Sequence, residues 1–391
     1  MERRIYLDNA STTYVSNEVI NEMMPCFNSI YGNAGSLHSF GREAMAIVDR
    51  ARDRIKDAIH ASKSNEIYFT SGGTEADNWA ILGVARANAN KGKHIITSQI
   101  EHHAVLHACE QLEREGFEVT YLPVDSTGLV KLPELLQAIR KDTTLISIMS
   151  VNNEVGTIQN IKTIAKIAHD YGILFHTDAV QAIGQMHIDV QDMEIDLLSM
   201  SSHKIHGPKG VGALYIKNGV RIDPIMHGGA SQERGKRAGT ENVAGIAGFG
   251  KAVEIANRNL IINSKKLKTI REYFLEKLNE KVDYFQINGH PYQKSNAILN
   301  ISFYGIEGES ILMLLDLAGI AVSTASACTS KSLLPSHVLK SMGIADEIAQ
   351  SSIRISFGTN ISKSDVDYVV EQIEKVVSKL RSISPIQAGR L

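Results

Sequence analysis

The chain has 391 residues and a mass of 42.9 kDa, which is too long for one small core and excludes a peptide-sized or disulfide-stapled scaffold. Apolar residues make up 43% and charged residues 21% of the sequence, which is the composition of a globular protein and not of a disordered one. The 41 lysines and arginines nearly balance the 43 aspartates and glutamates, so the net charge of -2 gives no electrostatic footprint for nucleic acid or for an anionic membrane.

The first residues and the cysteines indicate the compartment. Residues 1–8 contain no apolar signal region, and the longest apolar stretch, residues 311–322, is too short to span a membrane. The three cysteines lie far apart and form no CxxC pair, which argues against a disulfide framework and against a zinc site. We therefore expect a cytoplasmic protein with no membrane segment and no bound metal.

From about residue 66 the sequence alternates short β-branched runs with amphipathic stretches. This alternation is typical of βαβ units, and it predicts a mostly parallel sheet covered by helices. The predicted strands, in chain order, are residues 66–70, 94–98, 118–122, 145–149, 174–177, 196–200 and 211–216.

A second set of elements follows a long polar helical pattern over residues 257–281. Strands are predicted over residues 298–303 and 353–357, and a final helix over residues 362–382. We place a domain boundary near residue 258. Because no Pro-rich or low-complexity linker occurs there, we expect the two parts to pack together.

Residues 67–75 predict a strand, a tight glycine turn and the start of a helix. The free N–H groups at a helix start favour an anion, and a phosphate suits this position. The segment has neither the GxGxxG nor the GK[ST] spacing, which disfavours dinucleotide and P-loop sites. A plain turn with a Ser or Thr cap is the structural alternative.

Two charged residues follow predicted strands, where open α/β sheets build their ligand sites. Asp178 could hold the proton of a heteroaromatic nitrogen, or it could cap a helix. Lys204 lies among Ser and His side chains and is a candidate Schiff-base nucleophile, with a solvated loop lysine as the alternative. An aldehyde-bonding lysine, an acid for a ring nitrogen and a phosphate cradle are together what a pyridoxal phosphate site needs.

Over essentially its whole length the sequence resembles the fold-type I pyridoxal phosphate enzymes of aminotransferase class V, and most closely the NifS/IscS-type cysteine desulfurases. The segments that carry the resemblance are YLDNASTT (6–13), TSGGTE (70–75), EH (101–102), VNNEVG (151–156), HTDAVQ (176–181), SHK (202–204), RAGT (237–240), SACTS (326–330) and SSIR (351–354). The resemblance implies a large domain over residues 15–258, with a mostly parallel seven-stranded sheet. It implies a smaller α+β domain formed by residues 1–14 and 259–391.

The resemblance also implies which residues hold pyridoxal 5'-phosphate. Lys204 would bond to the aldehyde, Asp178 would pair with the pyridinium nitrogen, and His102 would stack on the ring and relay protons. The other residues implied in one subunit are Asn153, Gln181 at the phenolic oxygen, and Gly73, Thr74, Ser201 and His203 at the phosphate. Thr240 would reach that phosphate from the second subunit of a homodimer. From its residue chemistry alone, His102 would be an ordinary surface or core histidine.

The same resemblance assigns the substrate residues. Arg354 would bind the substrate carboxylate, a task that suits a planar bidentate fork, with a surface ion pair as its alternative. Asn33 and Asn153 would complete the amino-acid site, with turn formation as their alternative role. Cys328 lies in a run of small and polar residues typical of a surface loop, where an exposed thiol could take up sulfur and present it to an acceptor. An incidental exposed cysteine is the alternative.

The implied activity is that of a cysteine desulfurase, which converts L-cysteine to L-alanine. The sulfur would remain on Cys328 as a persulfide, for iron–sulfur cluster assembly or another sulfur acceptor protein. A selenocysteine lyase would share the fold and cofactor, and a class V aminotransferase would form a keto acid and need no Cys328. A non-catalytic sulfur carrier or scaffold is the alternative from another class, but it leaves Lys204 and Asp178 unexplained.

Overall fold

The structure, a computed structural model, describes residues 3–229, 232–324 and 335–385. In these residues strands and helices alternate around three sheets. The strands are β1 (Ile5–Tyr6), β2 (Ile67–Thr70), β3 (His94–Ser98), β4 (Glu118–Leu122), β5 (Thr143–Ser147), β6 (Leu174–Asp178), β7 (Leu197–Ser201), β8 (Gly212–Ile216), β9 (Phe285–Asn288), β10 (Ile298–Phe303), β11 (Ile320–Ala321), β12 (Ser323–Thr324) and β13 (Ser352–Ser356).

The helices cover the sheets and connect their strands. They are α1 (Asn17–Met23), α2 (Pro25–Asn28), α3 (Ser39–Ala58), α4 (Gly73–Asn78), α5 (Val84–Ala87), α6 (His103–Arg114), α7 (Leu132–Ala138), α8 (Ile161–Asp170), α9 (Val243–Arg258), α10 (Leu260–Lys281), α11 (Gly308–Leu317), α12 (His337–Ser341), α13 (Asp346–Gln350) and α14 (Lys363–Ile383). A π-helical segment, Trp79–Gly83, joins α4 to α5, and a short 3-10 turn, Ser202–Lys204, follows β7.

The large sheet has seven strands in the order β2-β8-β7-β6-β5-β3-β4. Neighbouring strands from β7 to β4 are parallel, whereas β8 is antiparallel to both β2 and β7. Strand β2 therefore runs in the same direction as β7, and six of the seven strands have their carboxyl ends at one edge. The central strands are buried on both faces, as their apolar sequences require.

The smaller sheet is antiparallel, in the order β12-β13-β10-β9. The start of the chain is attached to this part of the molecule. Strand β1 pairs in parallel with β11, and Asp8 forms an isolated bridge with Ser356 at the end of β13. The N-terminal segment thus crosses from the small sheet to α1, on the large-sheet part.

The apolar core is divided between the two parts. In α3 the buried residues recur every three or four positions, which gives the helix one apolar face against α9. The two helices approach closely because α9 has Gly250, where a Cβ would lie 2.6 Å from Cβ of Ala51. A separate cluster joins Ile5 and Leu7 to α10, α11 and α14. The division into two domains near residue 258 stays a prediction.

The predicted architecture, a mostly parallel seven-stranded sheet with a smaller α+β part, is confirmed. Several elements differ from the prediction by one residue at an end, and two differ by more. The strand predicted over residues 145–149 is β5 (Thr143–Ser147), because residues 148–149 leave the strand toward the loop that follows it. The helical pattern over residues 257–281 is interrupted at Asn259, which ends α9 and precedes α10. Among the described residues, no helix is both long enough and apolar enough to cross a bilayer.

Candidate active site

The predicted site residues lie at one edge of the large sheet. Strands β2, β3, β5, β6 and β7 all end there, and ligand sites in α/β folds form at such carboxyl ends. The residues that follow them are Gly73 and Thr74 after β2, His102 after β3, Asn153 after β5, Asp178 and Gln181 at β6, and Ser201, His203 and Lys204 at β7. The sheet therefore brings residues from positions 73 to 204 to the same edge.

Asp178 is the last residue of β6, and its side chain is buried. Its Oδ1 accepts a hydrogen bond from the backbone N–H of Val180 at 2.8 Å. Burial raises the pKa of Asp178 above its usual range, although the Val180 N–H and the charge of Lys204 act to lower it. A buried carboxyl group of this kind is stabilised in its charged form by a cation beside it.

Lys204 ends the 3-10 turn after β7 and is held by the N-terminal segment. Its Nζ donates hydrogen bonds to the backbone carbonyl oxygens of Ala10 at 2.6 Å and Ser11 at 2.8 Å. Gln181 donates through Nε2 to the same Ala10 oxygen at 2.9 Å. The backbone of residues 10–11 therefore orients the amine of Lys204 and the amide of Gln181 together.

Two histidines near Lys204 are neutral. His102 caps α6, where its Nδ1 accepts a hydrogen bond from the N–H of Ala104, and burial together with the charge of Lys204 lowers the pKa of His102 to about 4. Burial and Lys204 also lower the pKa of His203 to about 4, and its Nδ1 lies 3.1 Å from Oγ1 of Thr12. A neutral imidazole has one N–H donor and one nitrogen acceptor, and because Nδ1 of His102 accepts from Ala104, its Nε2 carries the N–H that can donate a hydrogen bond.

The glycine turn after β2 brings a helix start to the same edge. A Cβ at Gly73 would lie 2.7 Å from Cγ2 of Val180, so a glycine is needed for α4 to begin this close to the end of β6. The residue before α4, Gly72, provides no side-chain cap for the first N–H groups. Uncapped N–H groups at a helix start are donors for an anion.

Arg354 lies in β13, and its side chain is buried between three segments. Its Nη1 donates to the backbone oxygen of Asn153 at 3.0 Å, and its Nη2 donates to Oδ1 of Asp8 at 3.0 Å and Oγ of Ser11 at 2.6 Å. Among the described residues its Nε has no hydrogen-bond acceptor. Three of the five N–H donors of the guanidinium are thus used, and two, on Nε and Nη1, are left for a ligand carboxylate.

Three predicted residues are not joined to this cluster. Asn33 lies in an exposed turn, where its Oδ1 accepts a hydrogen bond from the N–H of Gly35. Thr240 lies in an exposed loop before α9. Cys328 lies outside the described residues, so its predicted role stays a prediction.

Three buried titratable residues beneath the site were not predicted from the sequence. His176 lies in β6, with its Nε2 3.0 Å from Oγ of Ser199 and 3.8 Å from Oδ1 of Asp77. Burial and the nearby Asp178 raise the pKa of Asp77 well above its usual range. Burial raises the pKa of Glu101 to about 8. In all three groups of this buried layer, burial disfavours the charged form, since it raises the pKa values of Asp77 and Glu101 and lowers that of His176 to about 3.

One feature of the sequence could have predicted part of this buried layer. His176 is two residues before Asp178 in the same strand, so the two side chains face the same side of the sheet. For Asp77 the sequence offered no comparable signal, because only the packing of α4 against β7 and β8 buries it.

The residues present suit pyridoxal phosphate. The buried Asp178 gains from a cation and matches a protonated ring nitrogen, the amine of Lys204 matches an aldehyde, and the uncapped start of α4 matches a phosphate. These three groups lie at the ends of β6, β7 and β2, along the same sheet edge.

The chain matches the family Aminotransferase class-V over residues 5–369. It is 51% identical over 389 residues to the cysteine desulfurase IscS of Clostridium botulinum, which covers 99% of this chain and 97% of that protein. It is 53% identical over 384 residues to the cysteine desulfurase IscS of Methanosarcina thermophila, with 98% and 94% covered. A solved structure of a NifS-like protein is similar with a TM-score of 0.91 and 40% identity, and 97% of this chain and 100% of that chain are covered.

A solved structure of SspA in complex with cysteine is also similar, with a TM-score of 0.81 and 37% identity over 90% of this chain and 98% of that chain. The chain therefore belongs to the aminotransferase class V family and, within that family, to the cysteine desulfurases.

Proposed function

We propose that the chain is a pyridoxal 5'-phosphate-dependent cysteine desulfurase, which converts L-cysteine to L-alanine and receives the sulfur on Cys328. The observation that carries this proposal is the placement of Asp178 and Lys204 at the ends of adjacent strands, in a chain 51% identical to a named cysteine desulfurase. The bound cysteine in the similar SspA structure supports L-cysteine as the substrate.

Bound pyridoxal phosphate would supply an aldehyde for the amino group of the substrate and a ring that accepts electrons from its Cα. In the proposed site Lys204 would hold the aldehyde, and Asp178 would keep the ring nitrogen protonated. Gly73, Thr74, Ser201 and His203 would hold the phosphate, His102 and Asn153 the ring, and Gln181 the phenolic oxygen.

Lys204 also moves the proton of the substrate. Its amine donates hydrogen bonds to the carbonyl oxygens of Ala10 and Ser11, which would keep it oriented beside the substrate. From there it removes the proton from Cα of the substrate and later returns a proton. Arg354 binds the carboxylate and so fixes which bonds of Cα face the amine.

The thiolate of Cys328 performs the sulfur transfer. It attacks the sulfur of L-cysteine, so that a sulfur–sulfur bond forms while the bond from Cβ to sulfur breaks. The electron pair of the broken bond stays with Cβ, which takes up a proton, and the substrate leaves as L-alanine. The transferred sulfur remains as a persulfide, from which a thiol reductant or an acceptor protein removes it.

The proposed enzyme is a homodimer. Thr240 and Asn33 are exposed in the single chain, and large apolar side chains near Asn33 are exposed as well: Phe27 by 64%, Tyr31 by 67% and Leu37 by 91%. An exposed apolar surface of this kind is typical of a subunit interface. We infer that a second copy covers it and that Thr240 then reaches the phosphate of the neighbouring subunit.

The sulfur acceptor is proposed to be an iron–sulfur scaffold protein or another sulfur acceptor in the cytoplasm. The support for the acceptor is the resemblance to the NifS/IscS-type cysteine desulfurases. The support for the compartment is that the described cysteines, Cys26 and Cys109, are buried free thiols, as in a reducing compartment.

The purified enzyme, loaded with pyridoxal phosphate, is incubated with L-cysteine and a thiol reductant while alanine and sulfide are measured together. We expect equal amounts of both over many turnovers. Cys328→Ala is expected to keep the visible absorption of the bound cofactor and to lose desulfuration, while Lys204→Ala loses both the covalent attachment and the activity. Cys26→Ala is the matched cysteine control and retains turnover.

Each competing activity has its own product. Turnover of L-selenocysteine that greatly exceeds turnover of L-cysteine would identify a selenocysteine lyase, and a keto acid in place of alanine would identify an aminotransferase. Full desulfuration by Cys328→Ala would refute the role of that thiol.

A further inference from the structure

A cluster of metal-ligating side chains lies outside the active site, at the end of α3. His60 follows α3, and His187 and Asp189 belong to the segment between β6 and β7. One potential ligand atom from each of the three residues lies within 4.8 Å of the others, and the rings of His60 and His187 are exposed at the surface. None of the three takes part in the proposed desulfurase reaction.

Two distances in the cluster, one between ligand atoms and one between imidazole rings, are close to those of a tetrahedral metal site. With ligand bonds of about 2.0–2.1 Å, neighbouring ligand atoms lie about 3.3 Å apart and the centroids of two bound imidazoles about 5 Å apart. Here Nδ1 of His60 is 3.1 Å from Oδ2 of Asp189. The ring centroids of His60 and His187 are 5.1 Å apart, with the ring planes at 84°. A hydrogen-bonded histidine–aspartate pair alone would not place a second imidazole at this distance.

Hydrogen bonds hold the side chain of Asp189 and the backbone next to His60 in place. Oδ1 of Asp189 accepts hydrogen bonds from the N–H groups of Gln191 at 3.0 Å and Asp192 at 2.9 Å, which leaves Oδ2 directed at His60. The side chain of Gln191 donates to the backbone oxygen of His60 at 2.6 Å, and the N–H of Val190 donates to the oxygen of Ile59 at 3.0 Å. Hydrogen bonds therefore hold the end of α3 against the segment before β7 without a bound metal.

The backbone of His60 is itself unusual. Its φ is 56°, a left-handed conformation that residues other than glycine rarely adopt. This conformation directs the imidazole toward Asp189 and His187, and it is held by the contacts of the neighbouring residues.

We propose that His60, His187 and Asp189 form a binding site for a divalent transition-metal ion, with a water molecule as the fourth ligand. Two imidazoles and one carboxylate in tetrahedral geometry suit Zn²⁺ best, and they exclude Mg²⁺ and Ca²⁺, which prefer six or more oxygen ligands. The bound ion joins the end of α3 to the segment before β7. Because it binds the folded chain, the metal raises the unfolding temperature.

The test titrates Zn²⁺ into the full-length, cofactor-loaded protein, purified without a histidine tag. The titration uses the Cys328→Ser background, because a thiolate also binds zinc. We expect one ion per chain and a rise in the unfolding temperature. His60→Asn, His187→Gln and Asp189→Asn are each expected to weaken binding by at least the roughly 10- to 100-fold that loss of an outer-shell contact costs. Asparagine is chosen at position 60 because it tolerates the left-handed conformation.

The exposed His227→Asn is the matched control and is expected to keep the affinity of the parent protein. A readout that needs no substitution is pulsed electron paramagnetic resonance of bound Cu²⁺, which is expected to show two coordinated imidazoles. The proposal is overturned if the three variants bind Zn²⁺ as tightly as the parent, if no ion binds at micromolar concentration, or if Cu²⁺ shows fewer than two imidazoles.

Discussion

The two sides of the active site are built in different ways. The cofactor side, defined by Asp178 and Lys204, comes from the ends of two neighbouring strands, β6 and β7, in the interior of one sheet. The carboxylate side, defined by Asp8, Asn153 and Arg354, joins three segments that are far apart in the sequence. Strand register therefore fixes the first side, whereas the packing of the small sheet against the N-terminal segment fixes the second.

The two sides also differ in their charges. Asp178 is buried, and burial raises its pKa because it disfavours the charged carboxylate. A cationic ligand beside Asp178 would offset this free-energy cost. Arg354 is buried as well, but it already has hydrogen bonds to Asp8, Ser11 and Asn153. We infer that cofactor binding stabilises the cofactor side strongly, whereas the substrate adds hydrogen bonds to a group that already uses three of its five N–H donors.

Asp178→Asn tests the cofactor side and has the largest expected effect. The amide keeps the shape of the carboxyl group but cannot stabilise a protonated ring nitrogen. We expect desulfuration to fall by about 10- to 1000-fold, which corresponds to the 1–3 pKa units that a neighbouring opposite charge contributes. A pH titration of the visible absorption of the bound cofactor is expected to show loss of the ring proton at lower pH than in the parent enzyme.

The exposed Asp170→Asn, at the end of α8, is the control and is expected to leave both measurements unchanged. A parent-like titration and rate in Asp178→Asn would show that another group holds the ring nitrogen.

Arg354→Lys tests the carboxylate side. Lysine keeps the positive charge but loses the planar fork, so the remaining contacts cannot all be made. We expect the KM for L-cysteine to rise by about 10- to 100-fold, the range for hydrogen bonds to charged groups, with a smaller change in kcat. Cysteamine lacks a carboxylate, so its turnover is expected to change little.

The control is Arg381→Lys, because Arg381 also donates to backbone carbonyl oxygens but lies away from the site. An equal loss of cysteamine turnover in Arg354→Lys would indicate that Arg354 stabilises the fold and does not recognise the carboxylate.

Most of the large sheet could be predicted from the sequence, because each buried strand is a short β-branched run between polar segments. The antiparallel direction of β8 could not, since a strand's direction depends on the connection that precedes it and not on its own residues. The break at Asn259 was also missed, because the helical pattern continues on both sides of it.

The residues of the two sides of the site were predicted from different kinds of information. Asp178 and Lys204 were found from their chemistry, because a charged residue directly after an apolar strand is conspicuous. Arg354 and His102 came only from the resemblance, since their surroundings are formed by residues distant in the sequence. The buried acids Asp77 and Glu101 were missed for the same reason.

Glu101 lies behind the cofactor side and gives the smallest expected effect on activity, because it does not contact the predicted reacting groups. Its carboxyl group accepts hydrogen bonds from Oγ of Ser98 and the N–H of Met149, and burial raises its pKa from 4.5 to about 8. Between these pH values the unfolded chain releases the proton and the folded chain keeps it. The stability contributed by Glu101 is therefore fully present below about pH 4.5 and is lost as the pH rises through about 8.

Glu101→Gln removes this titration while its amide oxygen can still accept both hydrogen bonds. We expect the free energy of unfolding of the parent protein to fall between pH 5 and pH 8 by about 1–3 kcal/mol more than that of the variant, as measured by urea denaturation. Glu110→Gln, on the exposed face of α6, is the control and is expected to keep the slope of the parent. Parallel curves for the parent and Glu101→Gln would mean that Glu101 is charged in the folded protein. The buried layer behind the cofactor side would then carry a negative charge that attracts a cationic ring. Ligand binding would in that case stabilise the cofactor side, relative to the carboxylate side, more than the burial of Asp178 alone indicates.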